Sequence, residues 1–138
     1  MTTFTLDPLI ARTSLSVCHF GVFDLRLVND SRYLWLLLIP QIDGATELHH
    51  LSQEQRHQMI DTACEIADVI QNKVAADKMN IATIGNIVPA MHLHIIARHK
   101  GDAAWPNPVW GNGTAVAMDD ETAHKKRDEI QDWLSALS

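Results

Sequence analysis

Residues 90–98 read AMHLHIIAR and place two histidines, His92 and His94, inside an otherwise apolar run. On a β-strand, successive side chains point to opposite faces, and residues two apart lie about 6–7 Å from each other on the same face. One face of this stretch therefore carries both histidines and Arg98. The other face is apolar, is predicted to point into the core, and consists of Met91, Leu93, Ile95 and Ala97.

The histidine pair admits three interpretations from the residues alone. Both imidazoles can be structural groups on a solvated sheet face. They can supply two ligands to Zn²⁺, although a zinc site needs a third and usually a fourth ligand, and no other histidine or cysteine lies at a convincing spacing. One of them can be a nucleophile that attacks phosphorus, because a histidine with a pKa near ~6.5 is available in its neutral form at physiological pH. Arg98 is then either a phosphate partner or a surface charge at the end of the strand.

Strand and helix signals fill the rest of the chain. Ser52 and Gln55 form a capping box at the start of a long helix, whose apolar residues recur at helical spacing. The predicted elements are a helix at residues 6–12, a strand within 19–30, a strand at 33–40, a helix from Ser52 to about Asp77, strands at 79–84 and 91–97, and a helix from Asp119 onward. Strand pairs separated by a helix indicate an α+β domain on an antiparallel sheet.

Composition indicates one domain spanning residues 1–138. The apolar fraction is 46% and the charged fraction 20%, as in ordinary globular proteins. The formal net charge of -6 disfavours nonspecific binding to nucleic acid or an anionic membrane surface. There is no signal-peptide pattern, and the longest apolar run, residues 34–39, is too short to span a bilayer. We therefore expect a cytoplasmic protein in which Cys18 and Cys64 are free thiols.

The sequence around the histidine pair resembles the histidine triad (HIT) superfamily. The signature of that family is His-φ-His-φ-His-φ-φ, with φ apolar, often preceded by Val-Pro and followed by an arginine. Residues 88–98, VPAMHLHIIAR, match it except that Ala90 stands at the position of the first histidine. Upstream, LRLVNDSRYLWLLLIP at 25–40 and LHHLSQEQ at 48–55 are similar to the strand pair of the family and the start of its long helix. Some bacterial members also lack the first histidine.

The resemblance implies a HIT-like antiparallel sheet with one long helix and a C-terminal helix. It implies that His92 attacks the α-phosphorus of a dinucleoside polyphosphate or a nucleoside phosphoramidate, and that water then cleaves the nucleotidyl-histidine. A backbone carbonyl near His94 would hold the other ring nitrogen of His92, and His94 would contact the phosphate. The scheme needs no metal and no cofactor. The expected partners are the nucleotide and a second copy of the chain in a homodimer.

The resemblance also indicates nucleotide-binding residues. Asn29 falls where the family often places a ribose contact, and Asn86 falls where relatives commonly have a residue that touches phosphate or leaving group. Arg98 continues the same face of the strand. A plain turn role for Asn29 remains open.

Other residues of the same region leave alternatives open. Ile87 occupies a position where some relatives carry a hydroxyl group. Together with Ala90, it makes a low-turnover nucleotide-binding module the alternative to an enzyme. Trp105 and Trp110, in a loop rich in glycine and proline, either stack on a nucleobase or anchor that loop.

Overall fold

The described part of the chain contains five strands and three α-helices. A computed structural model describes residues 4–137, so residues 1–3 and 138 of the proposed domain lie outside the described residues. The elements in chain order are α1 (Pro8–Thr13), β1 (Ser14–Phe20), β2 (Phe23–Val28), β3 (Leu34–Pro40), α2 (Gln53–Val74), β4 (Lys78–Ala82), β5 (Leu93–Arg98) and α3 (Asp120–Leu134), with 3₁₀ helices at Leu48–His50 and Ser135–Leu137.

All five strands form one antiparallel sheet in the order β1-β2-β3-β5-β4. The strands β3 and β5 are therefore neighbours, although α2 and β4 lie between them in the chain. In their register, Leu37 is opposite His94 and Trp35 is opposite Ile96. The sheet confirms the predicted α+β class, and it places the histidine strand directly beside the long apolar strand β3.

The helix α2 begins where its local sequence predicts but ends earlier than predicted. The Ser52 hydroxyl accepts a hydrogen bond from the Gln55 backbone N–H, and the Gln55 side chain accepts one from the Ser52 N–H, which confirms the predicted capping box. The helix ends at Val74, earlier than predicted, because Ala75 adopts a left-handed conformation with φ 51° that cannot continue a right-handed helix. The buried stripe consists of Met59, Ala63, Ile66, Ala67 and Ile70.

The two faces of the sheet have different coverings. The helices α2 and α3 pack on the face that holds the main core, and the predicted inward set of the histidine stretch belongs to it: Met91, Leu93, Ile95 and Ala97. On the opposite face, Ile10 of α1 packs against Leu37, and Val109 packs against Ile96. The alternation predicted for residues 90–98 is therefore confirmed, and both histidines lie on the face away from the main core.

The C-terminal helix α3 covers its own sheet. The Asp119 carboxylate caps its first turn by accepting a hydrogen bond from the Thr122 N–H. Ala123, Ile130 and Leu134 are buried, and the helix packs on β1 and α2. None of the helices in residues 4–137 is both long enough and apolar enough to cross a membrane. Cys18 and Cys64 are free thiols, as predicted.

The first hairpin of the sheet was not predicted. The sequence indicated one strand within residues 19–30, whereas the structure has β1 and β2 joined at Gly21, whose φ is 59°. Glycine populates this left-handed region without steric cost. The strand β1 escaped prediction because its apolar alternation is interrupted by a bulge between Ser16 and Cys18. The predicted strands at 79–84 and 91–97 are each shifted by one or two residues in the structure.

Candidate active site

His94 is the second residue of β5, and His92 immediately precedes the strand. Their ring centroids are 4.9 Å apart and their planes meet at 68°. Both residues are largely buried, with 8% of His92 and 6% of His94 exposed. Two imidazoles at this separation are close enough to act on one phosphoryl group.

One ring nitrogen of His92 is held by the backbone. Its Nδ1 lies 2.7 Å from the carbonyl oxygen of Ala90. A carbonyl oxygen can only accept a hydrogen bond, so Nδ1 carries the proton and Nε2 carries the lone pair in the neutral ring. Nε2 forms no hydrogen bond with the described residues. The carbonyl belongs to Ala90, two residues before His92, whereas the resemblance implied one near His94.

His94 is held by an indole. The Trp35 Nε1–H donates to Nδ1 of His94 across 2.9 Å. Burial, and secondarily the nearby His92, lower the pKa of His94 from 6.5 to about 3. His94 is therefore neutral at physiological pH.

A cavity of about 390 Å³ opens in front of both histidines. One wall is apolar and comes from α1, the end of β2 and the middle of β3; it includes Ile10, Val28 and Leu37. The other walls are residues 84–88 and Trp110. Asn86, predicted to contact phosphate or leaving group, lies in this wall, beside Gly85 with its φ of 69°. The structure thus brings His92, His94 and Asn86 together around one cavity.

The structure places Arg98 outside this cavity. Only 2% of Arg98 is exposed, so it is not the surface charge that is usual at a strand end. Its guanidinium donates two hydrogen bonds to the Asp102 carboxylate, at 2.8 and 2.9 Å, one to Asn80 Oδ1 and one to the Asn107 carbonyl. The Trp105 ring lies against it, 5.6 Å from ring centroid to Cζ. Arg98 thereby ties residues 102–107 to the sheet.

Asn29 is also placed away from the cavity. Its Oδ1 accepts a hydrogen bond from the Met118 N–H at 2.8 Å. The neighbouring Val28 lines the cavity instead. Through this contact, Asn29 connects the end of β2 to the segment before α3.

Several residues of the cavity wall are not predicted by the sequence. The sequence indicates Trp35 only as part of an apolar strand, and no sequence pattern connects Leu9, Ile10 and Thr13 of α1 with the histidines. The one available signal was the alternation of β3, which puts Trp35 and Leu37 on one face. Trp110 was singled out, and its ring lies 4.9 Å from the His94 ring, nearly perpendicular to it at 81°.

The depressed pKa of His94 makes folding stability dependent on pH. Below about pH 6.5 the unfolded chain binds a proton at His94 that the folded chain does not bind until about pH 3, so this contribution to stability is lost as pH falls through that window. We expect the free energy of unfolding to fall by roughly 2 kcal/mol between pH 7 and pH 5 on this account. Urea titrations at both pH values measure this fall in unfolding free energy. An equal fall in His94→Gln would show that His94 is not its source.

The described residues contain no group of three or more His, Cys, Asp or Glu side chains placed to hold a metal ion. His92 and His94 therefore lack a third protein ligand within residues 4–137. The zinc interpretation of the pair requires three or four such ligands, and the donor set around the cavity does not fit it.

Comparisons with known proteins identify the family. The HIT domain model matches residues 13–101. A histidine triad protein from Sinorhizobium meliloti is 36% identical, with a TM-score of 0.91, covering 96% of this chain and 98% of that chain. One from Marinobacter aquaeolei is 31% identical, with a TM-score of 0.94 and coverage of 99% and 100%. A third, from Bradyrhizobium japonicum, is 30% identical, with a TM-score of 0.90 and coverage of 95% and 98%.

These matches define the class of protein. The chain belongs to the histidine triad family, and its antiparallel sheet with flanking helices is the fold of those proteins. A search of curated proteins finds no match.

Proposed function

We propose that this protein is a nucleotide phosphohydrolase or nucleotidyl transferase in which His92 is the nucleophile. The substrates are dinucleoside polyphosphates or nucleoside phosphoramidates, and the reacting atom is the α-phosphorus. The observation that carries the proposal is the state of the His92 ring: Nδ1 is bound to the Ala90 carbonyl, and Nε2 is left with its lone pair beside the cavity.

In the first step, Nε2 of His92 attacks the α-phosphorus, forming a P–N bond while the bond from phosphorus to the leaving group breaks. The ring then carries a positive charge. The Ala90 carbonyl, 2.7 Å from Nδ1, stabilises that charge, because a hydrogen bond strengthens when its donor becomes charged. In the second step, water attacks the same phosphorus, a P–O bond forms and the P–N bond to Nε2 breaks, so that His92 returns to its neutral ring and the nucleotide leaves as its monophosphate. The proton lost by the water passes to solvent, and a departing amine takes its proton from solvent. One difficult displacement thus becomes two easier ones.

His94 acts on the phosphoryl oxygens. As a neutral ring whose Nδ1 accepts from Trp35, it donates from Nε2 to an oxygen on which negative charge grows. Such preorganised donors stabilise the transition state most in a cavity with little water. His94 need not change its charge during the reaction, which agrees with its pKa of about 3.

The cavity suits one nucleoside monophosphate unit. Its volume of about 390 Å³ lies within the range of roughly 300–1,000 Å³ usual for small-ligand sites. The apolar wall around Ile10 and Leu37 packs against the base, and Asn86 reaches the phosphate or the leaving group.

The covalent intermediate tests the proposal. The protein is mixed with an adenosine phosphoramidate and with a diadenosine polyphosphate, quenched in alkaline denaturant, and analysed as intact protein and as peptides by mass spectrometry. We expect one adenylyl group per chain, located on His92, and release of AMP. Failure to detect either the adduct or AMP with both substrates would overturn the proposal.

The alternative function is a nucleotide-binding module with little turnover. Two observations favour it: position 90 is alanine, and Ile87, which is 84% exposed, offers no hydroxyl group at the cavity. The experiment above separates the two functions when calorimetry with AMP is added. Binding of AMP without adduct or turnover supports the module.

A further inference from the structure

Trp35 makes the only hydrogen bond that the described residues offer to the His94 ring. It lies on β3, opposite Ile96 of β5 and on the same face of the sheet as His94. Its Nε1 is 2.9 Å from Nδ1 of His94. An indole N–H is a donor and never an acceptor. Nδ1 of His94 must therefore be the acceptor, and the single proton of the neutral ring must lie on Nε2.

The hydrogen-bond partners of the two histidines therefore fix opposite tautomers. The partner of His92 is a carbonyl that only accepts, so its proton is on Nδ1. The partner of His94 is an indole that only donates, so its proton is on Nε2. Both rings line the same cavity, and the nitrogens that the protein leaves unbound are a lone pair on His92 and an N–H on His94. A phosphoryl group needs this combination, because phosphorus takes the lone pair while a phosphoryl oxygen takes the N–H.

We infer that Trp35 is a positioning residue: its indole N–H fixes His94 in the tautomer that carries the proton on Nε2, so that His94 faces the substrate only as a hydrogen-bond donor. The tautomer follows from the contact alone, whereas its value for turnover rests on the proposed function. Without the indole, both neutral tautomers become available, and in one of them the Nε2 lone pair would face the phosphoryl oxygens and repel them.

The same contact keeps His94 uncharged. Protonating Nδ1 would set two N–H groups against each other at 2.9 Å. Of the titratable groups in the described chain, His92 is the one whose charge acts on His94; the aromatic neighbours Trp35 and Trp110 do not titrate. Removing the indole N–H therefore makes His94 easier to protonate, while burial and His92 continue to oppose protonation.

Trp110 provides a matched control within the same site. Its ring is 4.9 Å from the His94 ring and 6.0 Å from the Trp35 ring. Its Nε1, although buried, has no hydrogen-bond partner among the described residues. Trp110→Phe thus removes indole packing next to His94 without removing a hydrogen bond to it, whereas Trp35→Phe removes both.

The decisive experiment is a two-bond ¹H–¹⁵N correlation spectrum of ¹⁵N-labelled protein, in which protonated and unprotonated ring nitrogens resonate far apart. The signals of His94 are assigned by their loss in His94→Gln. We expect unprotonated Nδ1 and protonated Nε2 in the wild type and in Trp110→Phe. In Trp35→Phe we expect averaging of the two nitrogen signals and a rise in the pKa of His94.

Turnover supplies a second readout. Trp35→Phe is expected to lower kcat about tenfold, equivalent to one hydrogen bond in the transition state, with KM changed less than about twofold, because the apolar wall for the base is retained. A role in packing alone would change stability in both tryptophan variants and leave the tautomer unchanged in both.

A wild-type spectrum with the proton on Nδ1 of His94 overturns the inference, and this result is available even if Trp35→Phe does not fold. An unchanged tautomer in folded Trp35→Phe, or the same change in both variants, overturns it as well. If the wild-type and variant spectra are as expected but no adduct forms on His92, the proposed function fails and the tautomer assignment stands. If the adduct forms but the spectra differ from expectation, the tautomer assignment fails and the proposed function stands.

Discussion

Replacing His92 with alanine is expected to lower kcat/KM for phosphoramidate and diadenosine substrates by roughly 10⁴-fold or more, the usual cost of removing a covalent nucleophile. The ring of His94, 4.9 Å away, cannot substitute for it, because its Nδ1 is bound to Trp35 and its Nε2 carries the proton. AMP release measured by chromatography over long incubations covers this range.

Two controls make the result specific to His92. His57→Ala removes an exposed histidine of α2 and should leave turnover unchanged. Calorimetry with AMP on His92→Ala should show binding within a few-fold of wild type, since the apolar wall of the cavity remains. Equal AMP release by wild type and His92→Ala would show that His92 is not the nucleophile.

Replacing Arg98 with methionine is expected to destabilise the fold by about 3–5 kcal/mol, the cost of removing one partner from a buried ion pair. Arg98 is 2% exposed and Asp102 is held against it by two hydrogen bonds. The Arg98 hydrogen bond is the main reason that the pKa of Asp102 falls to about 2, so the variant would leave a buried carboxylate without its cation. Urea unfolding at pH 7 measures the loss.

A surface ion pair and a double variant provide the comparison. Arg127 pairs with Asp128 across 2.7 Å, but both side chains are substantially exposed, so Arg127→Met should cost less than about 1 kcal/mol. The combined variant Arg98→Met with Asp102→Asn should be less destabilised than the sum of the two single variants, because the second change removes the orphaned charge. Equal losses of unfolding free energy for Arg98→Met and Arg127→Met would contradict the assignment of Arg98 and Asp102 as a buried ion pair.

Much of the fold was predictable from local rules. The capping box at Ser52 and the helical apolar spacing predicted α2, and the alternation in residues 90–98 predicted which side chains of β5 enter the core. These signals are strong because each depends only on residues that are close together in the sequence. The strand β1 was missed because its bulge breaks the alternation, and the register of a bulged strand depends on its partner β2 rather than on its own sequence.

The candidate site was predictable only in part, because the residues that surround the histidines come from segments distant in the sequence. The alternation of apolar and polar residues along a strand predicts which face each side chain points to, and it correctly placed His92, His94 and Arg98 on one face. It does not predict which other segments cover that face. Residues 101–113 cover the end of β5 and enclose Arg98 in hydrogen bonds, whereas the other end stays open at His92. The position of Trp35 in the cavity wall could not be predicted, because strand β3 is apolar on both faces and its composition does not distinguish a cavity wall from the core.

The walls of the histidine cavity contain, within the described residues, no Asp, Glu, Lys or Arg side chain, while the chain as a whole has a formal charge of -6. For a polyanionic nucleotide, the approach is therefore repulsive at long range, and no cation in the described cavity wall offsets the repulsion. Dissolved ions shorten the reach of such forces from about 30 Å at 0.01 M to about 8 Å at 0.15 M. Encounter rates should thus increase with ionic strength, opposite to the trend in enzymes that steer anionic substrates with positive charge.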